Sequence, residues 1–319
     1  MGRARKRASP KVVQYVNRNF ESLAMTELVR VVKYLPPPFE KNGRGRPCQD
    51  PKIVAFAVMW KVLFCHTYDS IESAIKLHES VIINHFKVDR LPGHSVIHRG
   101  MERISTRYIR KVISFLIKKF RKRGMVVAVD STGFSLNNSS KWFDIRIQRI
   151  SSKKESMKLH IITDINTGII HHFTTTNWRR HDSREFKKLI TTLPKIAIAL
   201  GDKAYSSREN CQIVVERGGK PYLIFKENAK GLSKGNSAWK ISFREYKKNT
   251  KEWMNTYHLR SVVESVFSSI KKRWNGYISS MKPWNRRREL ALKVLAYNLK
   301  QVLYNIRAQE VGTSLWTTA

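Results

Sequence analysis

One short segment, YHLRSVVESVFSSIKKRW at residues 257–274, carries four side chains whose types and spacing could support chemistry. They are Tyr257, Arg260, Glu264 and Lys271. On a continuous helix, at about 100° per residue, these four would fall within roughly 60° of arc, with the apolar residues gathered on the opposite side. The spacing therefore predicts an amphipathic helix with a charged face. That face is either an ordinary helix surface with one Arg260–Glu264 ion pair or one side of a reactive site.

Two aspartates are further candidates, because each one follows an apolar run. Asp130 ends the run MVVAVD and Asp202 ends the run KIAIALGD. Runs of this kind are typical of strands in the middle of a sheet that is covered on both faces. Loops at the C-terminal ends of such strands are where the sites of α/β proteins form. For either aspartate alone, the alternative is a strand-end cap or a surface ion pair.

Together with Glu264, the two aspartates predict a divalent metal centre. Carboxylates that lie close together repel one another unless a cation neutralises them, and ligation by oxygen alone suits Mg²⁺ or Mn²⁺. Two such ions, roughly 3.5–4 Å apart, activate a water or a 3′-hydroxyl and stabilise the leaving oxygen of an in-line displacement. The histidines predict no metal site of their own, because their pairs lack a third ligand at metalloprotease spacing.

The charge of the chain indicates the kind of partner. Its 319 residues include 61 Lys and Arg but only 24 Asp and Glu, which gives a formal net charge of +37. A protein this basic repels itself, so it is expected to work against a polyanion. Nucleic acid is the default partner, and a membrane surface or a structural basic role are the alternatives. A purely structural protein would not need carboxylates at strand ends.

Composition also predicts the compartment. No apolar run approaches the roughly 20 residues of a transmembrane span. The basic start MGRARKRASP is not followed by the apolar segment of a secretory signal. Cys48, Cys65 and Cys211 lie far apart and form no Cys-x-x-Cys pair, which is typical of a reducing interior. A cytoplasmic protein without a membrane partner is therefore predicted.

Residues 1–120 are predicted to be helical and basic. Asp50 and Pro51 have the chemistry of an N-cap and a first-turn proline. Several short helices in a basic context suit a helix-turn-helix DNA reader, although a generic helical bundle fits the pattern equally. The segment GRGRP, with Arg44 and Arg46, is either an arm that inserts arginines into a minor groove or a solvated linker.

The pattern changes at Met125. A strand, a hairpin, a helix, a strand, a helix, a strand and a helix follow in that order, which predicts an α/β domain with a mixed sheet. A polar, glycine-bearing stretch near residues 226–255 precedes the last helix. Its Trp239 and Trp253 could stack on a base, but the pattern favours a place in the core.

Three segments resemble the DDE transposases of bacterial and archaeal insertion sequences, in particular insertion-sequence families four and five. The segments are VVAVDSTGF, IALGDKAYSS and YHLRSVVESVFSSIKKRW. The last motif of that family is Tyr-x2-Arg-x3-Glu-x6-Lys, which Tyr257, Arg260, Glu264 and Lys271 match at every position. The resemblance covers about residues 126–304 and, more weakly, the segment GRGRPCQDPKIVAF.

This resemblance implies a fold and a domain order. An RNase H-like catalytic domain, with a mixed sheet and flanking helices, would occupy residues 121–319 and carry a small insertion near residues 226–255. A DNA-binding region would precede it at residues 1–120.

The resemblance also implies a catalytic triad. Asp130, Asp202 and Glu264 would bind the metal. The resemblance implies that this metal is Mg²⁺ or Mn²⁺ and that two ions are bound.

Roles for neighbouring residues follow from the same resemblance. Arg260 and Lys271 would hold phosphates of the transposon end, and Tyr257 would contact the DNA backbone near the cut. The segment NWRRHDS also looks like a family feature. In it, His181 would support the metal ligands; the plainer alternative, which the sequence favours, is that Asp182 only caps the following helix.

The implied function is that of a transposase of the prokaryotic cytoplasm, associated with the nucleoid. It would cleave double-stranded DNA at the ends of an element and join 3′-hydroxyls to target DNA. Transposases commonly bridge two ends with two subunits, which implies a homodimer, although no segment marks an interface. The alternatives are a descendant that binds DNA without cutting it and another RNase H-like nuclease, such as a resolvase or an RNA-cutting enzyme. The intact triad argues against the first, and the Tyr-Arg-Glu-Lys segment against the second.

Overall fold

The computed structural model describes residues 6–40, 49–136, 156–232 and 234–318, with the backbone alone at residues 6–8 and 316–318. The chain divides into two compact units. The helical unit combines residues 1–118 with residues 280–319, and the sheet unit is residues 119–279. The sheet unit is thus one continuous stretch, whereas the helical unit is assembled from two separate stretches.

Eight helices build the helical unit within the described part of the chain. They are α1 (Pro10–Arg18), α2 (Phe20–Tyr34), α3 (Pro51–Leu63), α4 (Tyr68–Lys76), α5 (Glu79–Phe86), α6 (His94–Arg103), α7 (Thr106–Leu116) and, after the five helices of the sheet unit, α13 (Pro283–Glu310). The helical character predicted for the N-terminal region is confirmed.

Two of these helices, α3 and α13, form the core of the helical unit because most of their residues are buried. Ten of the 13 residues of α3 are buried, including Phe56 and Trp60. A helix that is apolar all round must be covered on all sides, and α3 packs against α2, α6 and α13. Asp50 caps it by accepting a hydrogen bond from the Lys52 amide at 2.7 Å, and Pro51 opens its first turn, as predicted.

The long helix α13 belongs to the helical unit. It is buried along most of its 28 residues and packs against α1, α2, α3, α6 and α7. The predicted domain of residues 121–319 places this segment with the sheet, whereas the structure groups residues 280–319 with the N-terminal helices. The physical reason is that residues 289–299 of α13 are buried on every side of the helix, so several helices must cover it. Within the described residues, no helix is both long and apolar enough to cross a membrane.

A short antiparallel ribbon joins the two stretches of the helical unit. Strand β1 (Lys6–Ala8) pairs with β7 (Trp316–Thr318), and the Ser9 amide donates to the Leu315 carbonyl at 2.8 Å. This strand is the only β-structure in the described part of residues 1–118, and the sequence pattern did not predict it.

Five strands form the sheet of the second unit, counting described residues only. They are β2 (Met125–Ser135), β3 (Ser156–Asp164), β4 (Ile170–Asn177), β5 (Ile196–Gly201) and β6 (Lys220–Leu223). Their order across the sheet is β4-β3-β2-β5-β6. β2 pairs with β5 and β5 with β6 in parallel, whereas the pairs β2–β3 and β3–β4 are antiparallel. The predicted RNase H-like mixed sheet is confirmed.

The helices of the sheet unit lie between and after these strands. They are α8 (Ser183–Ile190), α9 (Arg208–Glu216), α10 (Ser237–Lys248), α11 (Thr250–Tyr257) and α12 (Ser261–Trp274). α8 packs on β3 and β4, and α12 packs on β2. α10 and α11 fill the stretch predicted as a small insertion.

The side chains of neighbouring residues of β2 point to opposite faces of the sheet, because side chains alternate along a strand. Thr132 contacts Lys271 of α12 on one face, while Ser131 reaches Asp182 at the start of α8 on the other. The first half of the strand is fully covered, and Val127 and Val129 are both 0% exposed. The apolar run MVVAVD thus marks a central strand, as predicted.

The segment of residues 257–274 is not one continuous α-helix. Tyr257 ends α11, a 3₁₀ turn follows at His258–Arg260, and Glu264 lies in the first turn of α12. The two helices are held by different neighbours, α11 by the aromatic residues of the insertion and α12 by the sheet. The tighter 3₁₀ turn joins them in three residues.

A buried histidine on β4 should make the stability of the protein depend on pH. His171 is 5% exposed, and both of its ring nitrogens lack hydrogen-bond partners within the described residues. Burial, helped by the charge of Arg121, lowers the pKa of His171 to about 4 from 6.5. Between these values the unfolded chain binds more protons than the folded one, so stability falls as pH falls through this window. From pH 7 to pH 5 the expected loss is about 2 kcal/mol.

Urea unfolding at the two pH values measures this effect. We expect the difference in unfolding free energy between pH 7 and pH 5 to shrink by about 2 kcal/mol in His171→Leu. The same substitution at His258, which is exposed, is expected to leave the difference unchanged. An equal pH difference in wild type and His171→Leu would contradict the prediction.

Candidate active site

The two candidate aspartates lie directly after the last paired residues of the parallel strands β2 and β5. Val129 and Gly201 are the last register partners, so Asp130 and Asp202 are the next residues on adjacent strands. The sequence predicts Asp130 just past the end of a strand, but β2 continues to Ser135 because β3 remains paired with it. Asp202 does follow the end of β5. Both carboxylates thus start from the same level of the sheet.

Local backbone contacts fix each aspartate. One carboxylate oxygen of Asp202 accepts a hydrogen bond from the Ala204 amide at 2.9 Å and caps the 3₁₀ turn that follows β5. One carboxylate oxygen of Asp130 accepts from the Ser131 amide at 2.8 Å. Each side chain is therefore held by a backbone donor and keeps its other oxygen for a different partner.

Glu264 reaches the same region from α12. The helix buries its apolar face, as the sequence predicts, through Val263, Val266, Phe267, Ile270 and Trp274. Glu264 lies away from this face, and its side chain is 58% exposed. A carboxylate this exposed is free to change partners at little cost to the fold.

Arg260 bridges two of the three carboxylates. Its Nη1 donates to Asp130 Oδ2 at 3.0 Å, and its Nη2 donates to Glu264 Oε1 at 2.6 Å. The side chains of Arg260 and Asp130 are only 19% and 16% exposed. The guanidinium, with its rigid fork of donors, therefore holds a strand residue and a helix residue together.

The pKa of Asp130 reflects its burial and the charged groups around it. Burial raises it to about 6, the Ser131 amide and Arg260 oppose that rise, and the charges of Asp202 and Glu264 add to it. Three carboxylates thus act on one another around a single guanidinium. When all are ionised, three negative charges and one positive charge leave two negative charges in excess.

Lys271 and Tyr257 lie on the same side of the sheet unit. The Lys271 ammonium donates to Thr132 Oγ1 at 2.7 Å, two residues beyond Asp130. Burial raises the pKa of Tyr257, and its ring stacks on Trp253 at 5.6 Å between centroids, with an interplanar angle of 15°. All four residues of the Tyr-x2-Arg-x3-Glu-x6-Lys motif thus border one region, although the helix between them is interrupted.

The tryptophans of the insertion are core residues, as the sequence favours. Trp239 and Trp253 are 6% and 4% exposed. They belong to an aromatic cluster formed with Tyr222, Phe225, Phe243, Tyr246 and Tyr257. Stacking of a nucleic-acid base on either tryptophan would require this cluster to open. Its structural role is to fix α11, and with it Tyr257, beside the carboxylates.

The other face of β2 carries a polar contact that the sequence did not reveal. Asp182 occupies the N-cap position of α8 but makes no capping hydrogen bond, so the predicted cap is wrong. Its carboxylate accepts instead from Ser131 Oγ at 3.0 Å and from Lys158 Nζ at 2.8 Å. His181, predicted to support the metal ligands, is exposed, and its Nδ1 accepts from the Ser183 amide at 3.3 Å. The carboxylate therefore points inward because Lys158 supplies a charge for it.

Arg44 and Arg46, predicted to bind DNA, lie outside the described residues.

The donor set fits a divalent cation in its chemistry. Asp130, Asp202 and Glu264 offer carboxylate oxygens only, which suits Mg²⁺ or Mn²⁺, and their excess negative charge would be relieved by a cation. Among the described residues, no three Asp, Glu, His or Cys side chains are placed to hold one ion together. In this structure Arg260 contacts one oxygen of Asp130 and one oxygen of Glu264 that a metal could use.

One comparison with known proteins identifies a family for the chain. A family model described as a transposase DDE domain matches residues 121–299, more than half of the chain, and this range includes Asp130, Asp202 and Glu264. Among solved structures, the chain is similar to a piggyBac transposase in a synaptic complex with hairpin DNA, studied by cryo-electron microscopy. The TM-score is 0.45 at 7% sequence identity, over 93% of this chain and 74% of that one. No curated protein sequence matches the chain.

Proposed function

The chain belongs to the transposase DDE-domain family, and from this premise we propose that it is a metal-dependent DNA transposase. It cleaves double-stranded DNA at the ends of an insertion sequence and transfers the 3′-hydroxyl ends to target DNA. The observation that carries this proposal is that Asp130 and Asp202 follow the last paired residues of two adjacent parallel strands, and that Arg260 joins Asp130 to Glu264.

The three carboxylates are the proposed metal ligands. Asp130, Asp202 and Glu264 would hold two Mg²⁺ or Mn²⁺ ions, in keeping with the family, on oxygens that Arg260 partly occupies in this structure. The bound ions would lower the pKa of the attacking water or 3′-hydroxyl and neutralise charge on the leaving oxygen. The backbone donors at Ser131 and Ala204 keep two of the carboxylates in fixed orientations.

The basic residues of the motif are the proposed phosphate ligands. Arg260 presents a planar fork that matches a phosphate as well as it matches two carboxylates. Lys271 offers a point charge anchored by Thr132, and Tyr257 offers a hydroxyl and a ring held in place by Trp253. These three side chains would orient the DNA strand so that its scissile phosphate meets the carboxylates.

The net charge of +37 supports DNA as the substrate, because phosphate contacts made by Lys and Arg supply most of the affinity of such proteins. We assign DNA binding to residues 1–120 as well, including Arg44 and Arg46, and catalysis to the domain that begins at residue 121. Two copies of the chain would bridge two element ends, and the setting would be the prokaryotic cytoplasm and its nucleoid.

Plasmid cleavage tests the proposed function. Supercoiled plasmid that carries candidate element ends is incubated with the full chain and Mg²⁺ or Mn²⁺, and products are mapped by primer extension and sequencing. We expect cuts at the ends and joined strand-transfer products, and neither product with EDTA. Binding without cutting under any metal would leave a DNA-binding descendant of a transposase. Cutting without strand joining would point to another RNase H-like nuclease.

A further inference from the structure

A cluster of polar side chains lies on the face of the sheet opposite the Arg260 bridge. Ser131 donates to Asp182 Oδ2 at 3.0 Å, and Lys158 donates to Asp182 Oδ1 at 2.8 Å. His160 lies beside the same carboxylate, with its Nδ1 3.9 Å from Asp182 Oδ1. The buried hydroxyl of Tyr205 neighbours Ser131. We call these five residues the reverse-face cluster.

The register of the strands explains why the cluster assembles. Ser131 pairs with His160 and Gly133 pairs with Lys158, so the β2 and β3 members share one face. α8 packs on β3 and β4 and brings Asp182 over this face. The reverse-face cluster is therefore a specific contact between the strands and the start of α8, in which each carboxylate oxygen of Asp182 accepts one hydrogen bond.

The cluster touches the backbone that holds Asp130. The Ser131 side chain is bound by Asp182, while the amide of the same residue donates to Asp130 Oδ1 at 2.8 Å. Because side chains alternate along β2, Asp130 and Ser131 point to opposite faces. A change in the orientation of the Ser131 peptide on one face therefore moves the Asp130 carboxylate on the other.

The cluster also touches the turn that holds Asp202. Tyr205 closes that turn, and its amide donates to the Asp202 carbonyl at 3.1 Å. Its side chain is 0% exposed, and its hydroxyl has no well-formed hydrogen bond among the described residues. A buried hydroxyl without a partner is costly, so it is expected to have a specific reason to be there. The hydroxyl lies near Ser131, whose amide orients Asp130, while the backbone of Tyr205 belongs to the turn after β5.

We propose that Asp182 is a positioning residue that, through Ser131 and Tyr205, sets the spacing and orientation of the Asp130 and Asp202 carboxylates. It does not touch DNA or metal. This inference rests on the proposed function, because it concerns the metal affinity of those two aspartates. The alternative is that Asp182 only fastens α8 to the sheet.

Binding of Mn²⁺ to the full chain separates the two roles. Free Mn²⁺ is followed by electron paramagnetic resonance for wild type, Asp182→Asn and Ser131→Ala, with thermal unfolding as a record of stability. Loss of a partner that orients a metal ligand typically weakens metal binding by about 10- to 100-fold. We expect a loss of at least about tenfold in each variant, and a double variant no weaker than the weaker single one, because both changes break the same connection.

A matched control lies on the same helix. Glu185 is 1% exposed and is paired with Arg180 at 2.7 Å and Lys188 at 3.1 Å. Glu185→Gln is the corresponding removal of a charge from a paired carboxylate on α8, but away from Ser131. It is expected to lower the unfolding temperature and leave Mn²⁺ affinity unchanged.

The dependence of the plasmid cleavage rate on Mn²⁺ concentration gives a second test of the positioning role. In plasmid cleavage, Asp182→Asn is expected to need more Mn²⁺ for half-maximal rate but to approach the wild-type rate at saturation. Wild-type Mn²⁺ affinity in Asp182→Asn and Ser131→Ala, with reduced stability alone, would overturn the positioning role and leave the proposed function intact. Absence of Mn²⁺ binding in wild type would overturn both.

Discussion

Replacing Glu264 by glutamine is expected to lower DNA cleavage and strand joining by at least about 10³-fold, the size of effect seen when one charge-stabilising group is removed elsewhere. Glutamine has nearly the shape of glutamate but lacks the charge that a metal ion needs. The Glu264 side chain is 58% exposed, and glutamine keeps an oxygen that can accept the hydrogen bond from Arg260 Nη2. Stability and DNA binding should therefore persist while chemistry is lost.

The control for this variant is removal of a carboxylate that lies outside the candidate active site. Glu227 is 95% exposed and pairs with Lys203 at 3.2 Å in the same unit. Glu227→Gln should cleave plasmid at the wild-type rate. Gel-shift titrations of both variants show whether binding is retained, and cleavage at the wild-type rate by Glu264→Gln would remove this residue from the proposed triad.

Replacing Arg260 by glutamine is expected to change two measurements in opposite directions. Without DNA, Mn²⁺ should bind about tenfold more tightly, a change of about 1.4 kcal/mol. The reason is that the guanidinium now satisfies Asp130 and Glu264 at 3.0 and 2.6 Å and competes with any cation for their oxygens. Cleavage should nevertheless fall by about 10²-fold or more, because a donor to the DNA phosphate is lost.

Replacing Arg260 by lysine separates the effect of the positive charge from the effect of the guanidinium geometry. Arg260→Lys keeps the positive charge but has no fork, so it cannot bridge two carboxylates in the same way. An intermediate Mn²⁺ affinity and reduced cleavage are expected. Arg244, an exposed residue of α10, provides a control for charge alone, and Arg244→Gln should not tighten Mn²⁺ binding. If Arg260→Gln bound Mn²⁺ no better than wild type, competition between guanidinium and metal would be ruled out.

The fold of the sheet unit could be predicted because its signals are local. Apolar runs such as those before Asp130 and Asp202 mark central strands wherever they occur. The register that brings these two residues side by side follows from the parallel pairing of their strands. The length of β2 was not predictable from its apolar run, because residues 131–133 are polar or small and the strand is continued to Ser135 by pairing with β3.

Contacts between distant residues account for most of what the sequence did not reveal. Asp182 has the pattern of a helix cap, and only the position of Lys158 on β3 draws its carboxylate inward. The interruption between Tyr257 and Glu264 likewise depends on two different packing partners. The charged face of the motif was predicted from spacing, but which carboxylates Arg260 joins is a property of the tertiary structure.

The assembly of the helical unit from two separated stretches has a consequence for synthesis of the protein on the ribosome. Residues 119–279 emerge as one uninterrupted length and can fold while the rest is still being made. Residues 1–118 can complete their core only once α13 and β7 have been made after the sheet unit, because α13 covers α3 and β7 pairs with β1. A chain released before about residue 280 would therefore expose the apolar surface of α3 to the cell's chaperones and proteases.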